Sequence, residues 1–384
     1  MPSAAGLRVL GVAVPDVSDW RESLPQGKWS QFYGELAKRL ELVGVVRPEL
    51  SQADQYLIRA RAFHPRMSRW RPRAGFNRSL VMRRTEAVQR GLSRYESSYD
   101  LIMQLQTLCA PGFDRAGIPY AIYTDNTMAL TRRLNPSVHL SADAASWWMG
   151  FEADVCRSAS AVFTYSEFAR CSVIDDYGCS PDSVLAVGAG ANQLLESLGE
   201  KDYSVPRALF VGGDFKGKGG SVLLDAWPIV RERVPDAELI IAGPKRKPPR
   251  DLPAGISWMG WMDRAGLAQL YRSASVFVLP SFFDACPNVL REAMGHGLPC
   301  ISTDCCAMPE IIDDGVTGRL VPRFESEPLA VALIELLADP VKTAAMGHAA
   351  HAHVLRGSRW SDVVDRVMAH LDVSFSASAL SGQG

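Results

Sequence analysis

The chain has 384 residues, of which 41 are Lys or Arg and 42 are Asp or Glu, so its formal net charge is −1. This length exceeds one ordinary hydrophobic core and predicts two domains. The near-neutral charge gives no strong attraction to nucleic acid, and no apolar run reaches the roughly 18 residues of a membrane-spanning helix. The eight cysteines show no Cys-x2-Cys spacing, which argues against a metal site or a disulfide framework.

The N-terminal half alternates strands and helices irregularly. The short apolar run at 7–14 predicts a first strand and not a signal peptide, so we expect a cytoplasmic protein. Further strands are predicted at 41–46, 100–106, 119–124, 161–164 and 183–187. We expect these elements to form a Rossmann-like domain over residues 1–190.

An arginine-rich segment, residues 64–73, interrupts this half. Arg69, Arg71 and Arg73 are typical of a solvated surface with ordinary salt bridges. The alternative is contact with an anionic acceptor, a lipid phosphate or a membrane surface. In the second case the protein would lie peripherally at the inner face of the membrane.

The C-terminal half alternates regularly from residue 205 to residue 356. The pattern predicts strands at 208–212, 237–243, 256–260, 275–280 and 299–302, with helices at 219–233, 263–273 and 288–296. Short loops between them predict a parallel, doubly wound sheet. A hinge is predicted near 189–205, and the small polar residues of 373–384 predict a disordered tail.

Two carboxylates mark the strand-to-helix junction of Ser281-Phe-Phe-Asp-Ala-Cys-Pro-Asn-Val-Leu-Arg-Glu292. Asp284 is predicted to follow the strand's carboxyl end and Glu292 to project from the next helix, at the edge where open α/β sheets bind ligands. The backbone N–H groups of Ala285, Cys286, Asn288 and Val289 are expected to point at the same crevice and to suit phosphate oxygens. The alternative is that Asp284 caps the helix and Glu292 is solvated.

The run from Ser281 to Pro322 resembles the donor-binding signature of the retaining family-four glycosyltransferases, glycosyl transferases group 1. The resemblance includes Glu292-Ala-Met, Gly297-Leu-Pro, Pro309-Glu310 and Asp314-Gly-Val-Thr-Gly. It implies the α/β fold called GT-B, in which two doubly wound Rossmann-like domains face a cleft. The N-terminal domain would bind the acceptor and the C-terminal domain the nucleotide sugar, without a metal ion. In such proteins the last helix, here 357–372, packs back on the first domain.

The family uses a Glu-x7-Glu pair, with the first carboxylate at the transferred hexose and the second at the nucleotide ribose. This implies a catalytic Asp284 and a ribose-binding Glu292. Asp284 stands where the family has Glu, and its side chain reaches about 1.3–1.5 Å less far. The glycine-rich turn 210–220 resembles the diphosphate-binding turn, with Lys218 at the family's Lys and Gly213 at the family's Arg. Lys216 is our candidate for the missing positive charge.

Three weaker signals accompany this signature. The turn Trp258-Met-Gly260-Trp-Met resembles the segment that contacts the nucleobase through backbone atoms. Asp125, which ends a predicted strand, is a candidate for contact with the sugar or the acceptor, although a turn or cap role fits equally well. Ser166-Glu167 resembles a family turn or a simple N-cap. The family's glycine-rich first turn is replaced by residues 15–20.

The adjacent Cys305 and Cys306 are predicted to be two reduced thiols near the site, with redox sensing as the alternative. Overall, the sequence predicts a retaining hexosyltransferase that uses a nucleotide sugar and a saccharide or lipid-linked acceptor, in cell-surface polysaccharide or glycolipid synthesis. The alternatives are a catalytically silent donor-binding module that supports a partner enzyme, a GT-B sugar-nucleotide epimerase or a phosphorylase.

Overall fold

The computed structural model describes residues 6–14, 28–66, 70, 73–95, 98–111, 118–135, 138, 140–245 and 247–381. The chain divides into two compact units. One unit comprises Met1–Gly188 with Trp360–Gly384, and the other comprises Ala189–Arg359. Each unit contains one six-stranded sheet whose neighbouring strands are all parallel. The predicted α/β class with two doubly wound sheets is therefore confirmed.

The sheet of the N-terminal unit has the order β2-β1-β3-β4-β5-β6. Its strands are β1 (Arg8–Ala13), β2 (Glu41–Val46), β3 (Leu101–Leu105), β4 (Tyr120–Thr124), β5 (Ala161–Thr164) and β6 (Val184–Ala186). The helices of this unit are α1 (Lys28–Leu36), α2 (Gln52–Arg61), α3 (Arg78–Leu92), α4 (Met128–Leu134), α5 (Ala142–Arg157), α6 (Glu167–Asp175) and α13 (Trp360–Ser381).

The sheet of the C-terminal unit has the order β12-β11-β10-β7-β8-β9. Its strands are β7 (Arg207–Val211), β8 (Glu238–Ala242), β9 (Ile256–Gly260), β10 (Val276–Leu279), β11 (Cys300–Thr303) and β12 (Gly318–Val321). Its helices are α7 (Gly220–Arg233), α8 (Arg264–Ser273), α9 (Asn288–Gly295), α10 (Met308–Ile311), α11 (Ser326–Leu337) and α12 (Pro340–Leu355).

Central strands of both sheets are buried along their whole length, as the continuous apolar runs of the sequence predict. The last helix, α13, packs on α1 within the N-terminal unit. Trp360 lies edge-on to Phe32 at 6.4 Å, and Arg39 pairs with Asp365 at 2.6 Å. The helix continues to Ser381, into the stretch for which the sequence predicts disorder. The domain limits drawn from the sequence stay a prediction.

Some predicted features fall outside the described residues. The turn 15–20 lies there, and so do Arg69 and Arg71 of the arginine-rich segment. None of the described helices is both long enough and apolar enough to cross a membrane.

Candidate functional site

The candidate site lies where the strand order of the C-terminal sheet reverses. From β7 the chain proceeds outward through β8 and β9, and it then returns to place β10 on the other side of β7. The loops after β7 and β10 therefore leave neighbouring strands in opposite directions and open a crevice at the carboxyl edge. The glycine-rich turn follows β7, and the segment with Asp284 follows β10.

The glycine-rich turn lies directly against the end of β10. Gly219 has a φ of +74°, a left-handed conformation that favours glycine, and a Cβ there would overlap the carbonyl oxygen of Pro280. The N–H of Phe282 donates a hydrogen bond to the carbonyl oxygen of Gly217 at 3.0 Å. This close approach fixes the two loops against each other, and at Gly219 it requires the absence of a side chain.

Lys218 and Asp284 form an ion pair across the two loops. The Nζ of Lys218 donates a hydrogen bond to Oδ2 of Asp284, and the two side chains are only 25% and 19% exposed. Asp284 does not cap the next helix, because the N-cap position is Pro287 and no side chain caps it. The pair places a cation and a carboxylate together, so the site can bond phosphate oxygens and sugar hydroxyls at once.

Glu292 projects from α9 and is partly buried. Its Oε1 accepts a hydrogen bond from Nδ2 of Asn192 at 2.8 Å, and its Oε2 accepts a longer one from the hydroxyl of Tyr271 at 3.5 Å. Burial raises the pKa of the Glu292 carboxyl, while the hydrogen bond from Asn192 opposes that rise. The Glu292 carboxylate is therefore fixed in place by hydrogen bonds that it accepts, and the alternative of a solvated helix residue does not apply.

The residues that hold Glu292 are the ones that sequence reasoning missed. Asn192 lies in the segment predicted as a hinge, and the hydrogen bond from Asn192 ties this segment to the site. The ring of His296 stacks on Tyr271 at 4.9 Å, and its Nδ1 lies 2.9 Å from the carbonyl oxygen of Glu292. The Gly-Ala-Gly-Ala-Asn composition at 188–192 indicated a hinge, but it carried no signal for a contact 100 residues away.

The start of α9 provides backbone donors near the carboxylates. Asn288 and Val289 occupy the first turn of this eight-residue helix, where N–H groups have no partner within the helix. Ala285 and Cys286 are buried just before it. The side chain of Asn288 donates to the carbonyl oxygen of Gly190 at 2.9 Å, a second bond between α9 and the 188–192 segment. The arrangement is suited to anionic oxygens, and the role of these four residues stays a prediction.

Gly213 and Lys216 lie at the open side of the glycine-rich turn. Both are exposed, and an added Cβ at Gly213 would have its nearest neighbour 4.0 Å away, the carbonyl oxygen of Gly243. Lys216 forms no ion pair with any described residue, whereas Lys218 is paired. The structure thus gives the two lysines different surroundings. Compensation by Lys216 for the missing arginine stays a prediction.

The predicted nucleobase turn lies at the end of β9, the last strand on the β8 side of β7. Gly260 ends β9 with a φ of +70°, and its carbonyl oxygen accepts a hydrogen bond from the N–H of Gly243 at 2.6 Å. Trp258 packs edge-on against Phe215 of the glycine-rich turn, with ring centroids 4.9 Å apart. Trp261, in contrast, is 55% exposed. Trp258 is therefore a packing residue, and the exposed side chains of the turn are those of Met259 and Trp261.

In the N-terminal unit, Asp125 follows β4. Its Oδ1 accepts a hydrogen bond from Nε2 of Gln106 at 2.8 Å, and Gln106 has a φ of +66°. The helix that follows is capped by Thr127 and not by Asp125. Ser166 is an N-cap, because its side chain accepts from the N–H of Ala169 at 3.2 Å. The catalytic or acceptor-binding role of Asp125 stays a prediction.

Within the described ranges, no group of three or more His, Cys, Asp or Glu side chains is arranged to hold a metal ion. Among the described residues, Lys218 places its positive charge directly on Asp284, and Arg323 donates a hydrogen bond to the carbonyl oxygen of Phe282 in the same loop at 3.1 Å. The expectation of a metal-free site stays a prediction.

Comparison with known proteins agrees with the resemblance in the sequence. Residues 205–339 match the family model described as Glycosyl transferases group 1, so the resemblance is confirmed for the C-terminal unit. A phosphatidyl-myo-inositol mannosyltransferase from Mycobacterium leprae is 38% identical over 167 residues, which cover 42% of this chain and 44% of that protein. A D-inositol 3-phosphate glycosyltransferase from Segniliparus rotundus is 24% identical over 70% of this chain and 64% of its own length. The chain spans about half the length of these curated relatives.

Solved structures show the fold over nearly the whole chain. Sucrose-phosphate synthase from Thermosynechococcus elongatus aligns with a TM-score of 0.72 at 17% identity, covering 96% of this chain and 99% of that one. Anabaena HepE in complex with UDP and glucose aligns with a TM-score of 0.66 at 14% identity, covering 96% and 100%. The predicted GT-B fold is therefore confirmed.

Proposed function

We propose that this chain is a retaining glycosyltransferase that moves a hexose-type sugar from a nucleotide sugar to a saccharide or lipid-linked acceptor. The observation that carries the proposal is the Lys218–Asp284 ion pair at the strand-order reversal, with Glu292 on the adjoining helix. The family match over residues 205–339 and the names of the matched relatives, both of which act on inositol compounds, support a role in glycolipid synthesis.

The proposed reaction assigns a separate task to each group. Lys218 and the N–H groups at the start of α9 neutralise the departing diphosphate, so that no metal ion is needed. Glu292 accepts hydrogen bonds from the ribose hydroxyls, for which Asn192 holds it in place. Asp284 lies at the transferring sugar and orients it. Asp125 of the N-terminal unit is assigned to the sugar or the acceptor.

A panel of nucleotide sugars tests this function directly. A bound donor at about 100 times its Kd stabilises the protein by roughly 2.7 kcal/mol, so UDP-glucose, GDP-mannose and their relatives are first compared by thermal shift. Donors that bind are then incubated with lipid and saccharide acceptors, with and without EDTA. We expect transfer that resists EDTA. Donor binding with neither transfer nor hydrolysis would indicate the silent donor-binding module instead.

Replacing Glu292 by Gln is expected to weaken donor binding by about 10- to 100-fold, because a hydrogen bond to a charged group contributes about 1.5–3 kcal/mol. The free energy of unfolding at neutral pH, in contrast, should not fall in this variant. A raised pKa in the folded state means that the free energy of unfolding falls as pH rises from the unfolded value, about 4.3, through the folded value. At pH 7 the Gln variant should therefore melt no lower than the wild type.

Titration calorimetry with the donor and melting curves at pH 4 and pH 7 check both parts of this prediction. Glu232→Gln is the matched control, because Glu232 is exposed on α7 and forms no ion pair with any described residue. An unchanged donor Kd in Glu292→Gln would remove Glu292 from the donor site.

The proposed lipid-linked acceptor also requires contact with a membrane surface. On and after α2, Tyr56, Leu57 and Phe63 are 71%, 45% and 68% exposed, and Arg59 and Arg61 lie in the last turn of the helix. Aromatic and basic residues in this combination are typical of interfacial binding. Arg73, from the arginine-rich segment, is also exposed.

The double substitution of Tyr56 and Phe63 by Ser is expected to lower binding to vesicles with phosphatidylglycerol at least tenfold, since each buried ring contributes about 1.5–3 kcal/mol. Co-sedimentation at constant salt measures the binding to these vesicles, and phosphatidylcholine vesicles serve as the neutral comparison. The control is Val341→Ser, because Val341 is 79% exposed in the C-terminal unit. Equal binding by both variants would exclude this surface.

A further inference from the structure

Two adjacent cysteines pack against the loop that carries Asp284. Cys305 and Cys306 lie after β11, and the Sγ of Cys305 is 3.9 Å from the carbonyl oxygens of both Ser281 and Phe282. The Cys306 thiol is hydrogen-bonded to the backbone of Asp284 itself. Any change in covalent structure at these thiols therefore acts directly on the backbone that positions the candidate carboxylate.

The two thiols are chemically unequal. The hydrogen bond from Cys306 lowers the pKa of the Cys305 thiol to about 7. Burial and the charge of Asp304 oppose this shift, and the charge of Arg323 assists it. The same hydrogen bond and burial raise the pKa of Cys306. The lowered pKa favours the thiolate of Cys305, which is the nucleophilic form, beside a partner whose thiol stays protonated.

The backbone at this pair is already in an unusual conformation. Cys306 has a φ of +54°, in the left-handed region that residues with a Cβ rarely adopt. Thr303 lies 3.3 Å from the Sγ of Cys305 through its hydroxyl oxygen and also donates to the carbonyl oxygen of Ser281 at 2.8 Å. The left-handed residue and the dithiol thus belong to one packed unit with the 281–284 segment.

Access sets this pair apart from most cysteines of the chain. Cys171 is exposed, Cys305 and Cys306 are half-buried, and the other five, Cys109, Cys156, Cys179, Cys286 and Cys300, are buried. A small oxidant can therefore reach the pair, and Cys171 on α6 is a natural comparison for an accessible thiol without a neighbouring cysteine.

We propose that Cys305 and Cys306 form a redox-sensitive dithiol that a hydroperoxide converts to a disulfide, and that ring closure displaces the Asp284 loop and weakens donor binding. The second part of this proposal rests on the proposed function. The first part concerns only the thiols.

The reaction balances with hydrogen peroxide as the oxidant. The Cys305 thiolate attacks one peroxide oxygen, the O–O bond breaks, and the departing hydroxide takes up a proton to become water. The sulfur of Cys306 then attacks the resulting sulfenic acid, the S–O bond breaks, and hydroxide leaves with the Cys306 proton as a second water. The dithiol loses two electrons and two protons, and the peroxide is reduced to two waters.

Ring closure between neighbouring residues requires the backbone to move. Consecutive Cα atoms across a trans peptide are about 3.8 Å apart, whereas disulfides usually span about 4.4–6.8 Å. The adjustment falls on the 305–306 peptide, which packs on the 281–284 segment. A disulfide in such a tight ring is readily reduced by thiols, so the change is reversible.

Mass mapping of the full-length protein after peroxide treatment tests the chemistry. We expect the peptide that holds Cys305 and Cys306 to lose two hydrogens and to regain them with dithiothreitol. In Cys306→Ser the reaction should stop at a sulfenic acid on Cys305 that dimedone traps. Cys171→Ser should form the same disulfide as the wild type. In that variant, the rate at which iodoacetamide labels Cys305 should rise with pH, with a midpoint near pH 7. Oxidation confined to Cys171, or none at the pair, would overturn the proposal.

Donor binding before and after oxidation tests the consequence. With the nucleotide sugar that stabilises the reduced protein most, we expect the Kd to rise at least tenfold on oxidation and to recover with dithiothreitol, and we expect no such change in Cys306→Ser. A disulfide that forms without changing the Kd would overturn the coupling to the Asp284 loop. If the reduced protein binds no nucleotide sugar, the proposed function fails, while the mass measurement still decides the dithiol chemistry.

Discussion

Replacing Lys218 by Ala is expected to lower kcat/KM for sugar transfer by about 10²- to 10³-fold. Removal of one preorganised electrostatic contact to a developing negative charge typically has an effect of this size. Lys218 is paired with Asp284 between two loops that touch each other, so its charge is held in place before the donor arrives. The variant also leaves Asp284 partly buried without its cation, which adds to the loss.

The chain provides a close comparison in Lys216→Ala, which also tests whether Lys216 compensates for the missing arginine. Lys216 lies two residues earlier in the same turn, is exposed and forms no ion pair with any described residue. As an exposed charge that contributes little, Lys216 would change kcat/KM by no more than about threefold on removal, whereas a larger loss would support its compensation for the missing arginine. The two variants are compared by steady-state kinetics with the donor identified by thermal shift. Similar losses in both would mean that general positive charge matters and not the ion pair.

A double-mutant cycle shows whether Lys218 and Asp284 act together. Because their side chains are hydrogen-bonded, the losses in Lys218→Ala and Asp284→Asn should not add in the double variant. Additive losses, measured as ln(kcat/KM), would indicate that the two groups serve the reaction independently. In that case the ion pair would only hold the two loops together, and Lys218 and Asp284 would each contribute to the reaction separately.

The fold could be predicted because the decisive signals are local. Apolar runs such as 208–212 and 275–280 end at Gly or Pro, and both are buried strands in the structure. The residues that set the carboxyl edge could be placed for the same reason, since Asp284 directly follows a strand and Glu292 lies on the next helix. Strand β12 was not predicted. Its four residues lie inside the run 314–322, which was interpreted only as part of the donor-binding signature.

The contacts that hold the site could not be predicted, because they join distant parts of the chain. Nothing in the residues around Asn192 indicates that its side chain bonds Glu292, 100 positions later. The pairing of Lys218 with Asp284 spans 66 positions and depends on β7 and β10 being neighbours. Strand order settles the second contact, and a single sequence gives strand identity more readily than strand order. The first contact depends on the path of the irregular segment between β6 and β7.

Gly219 is expected to be the most sensitive position in the glycine-rich turn. Gly219→Ala should lower the free energy of unfolding by about 3–5 kcal/mol, since the left-handed conformation alone costs a residue with a Cβ about 1–2 kcal/mol and the overlap with the carbonyl oxygen of Pro280 adds to it. For a unit of this size, a loss of 3 kcal/mol lowers Tm by about 6–12 °C. Because the overlapping atom belongs to the backbone at the end of β10, rotation of a side chain cannot relieve it.

Gly213→Ala is the matched control, in the same turn and with the same added methyl group. The φ of Gly213 is not positive and the nearest atom to its added Cβ is 4.0 Å away, so the change in unfolding free energy should stay within about 0.5 kcal/mol. Calorimetry gives both Tm values, and donor titration then asks whether Gly219→Ala also weakens binding. Since the turn touches both β10 and Phe282, a displaced Gly219 should move Lys218 away from Asp284 and raise the donor Kd. Equal Tm values for the two variants would contradict the close approach between the turn and Pro280 on which this coupling depends.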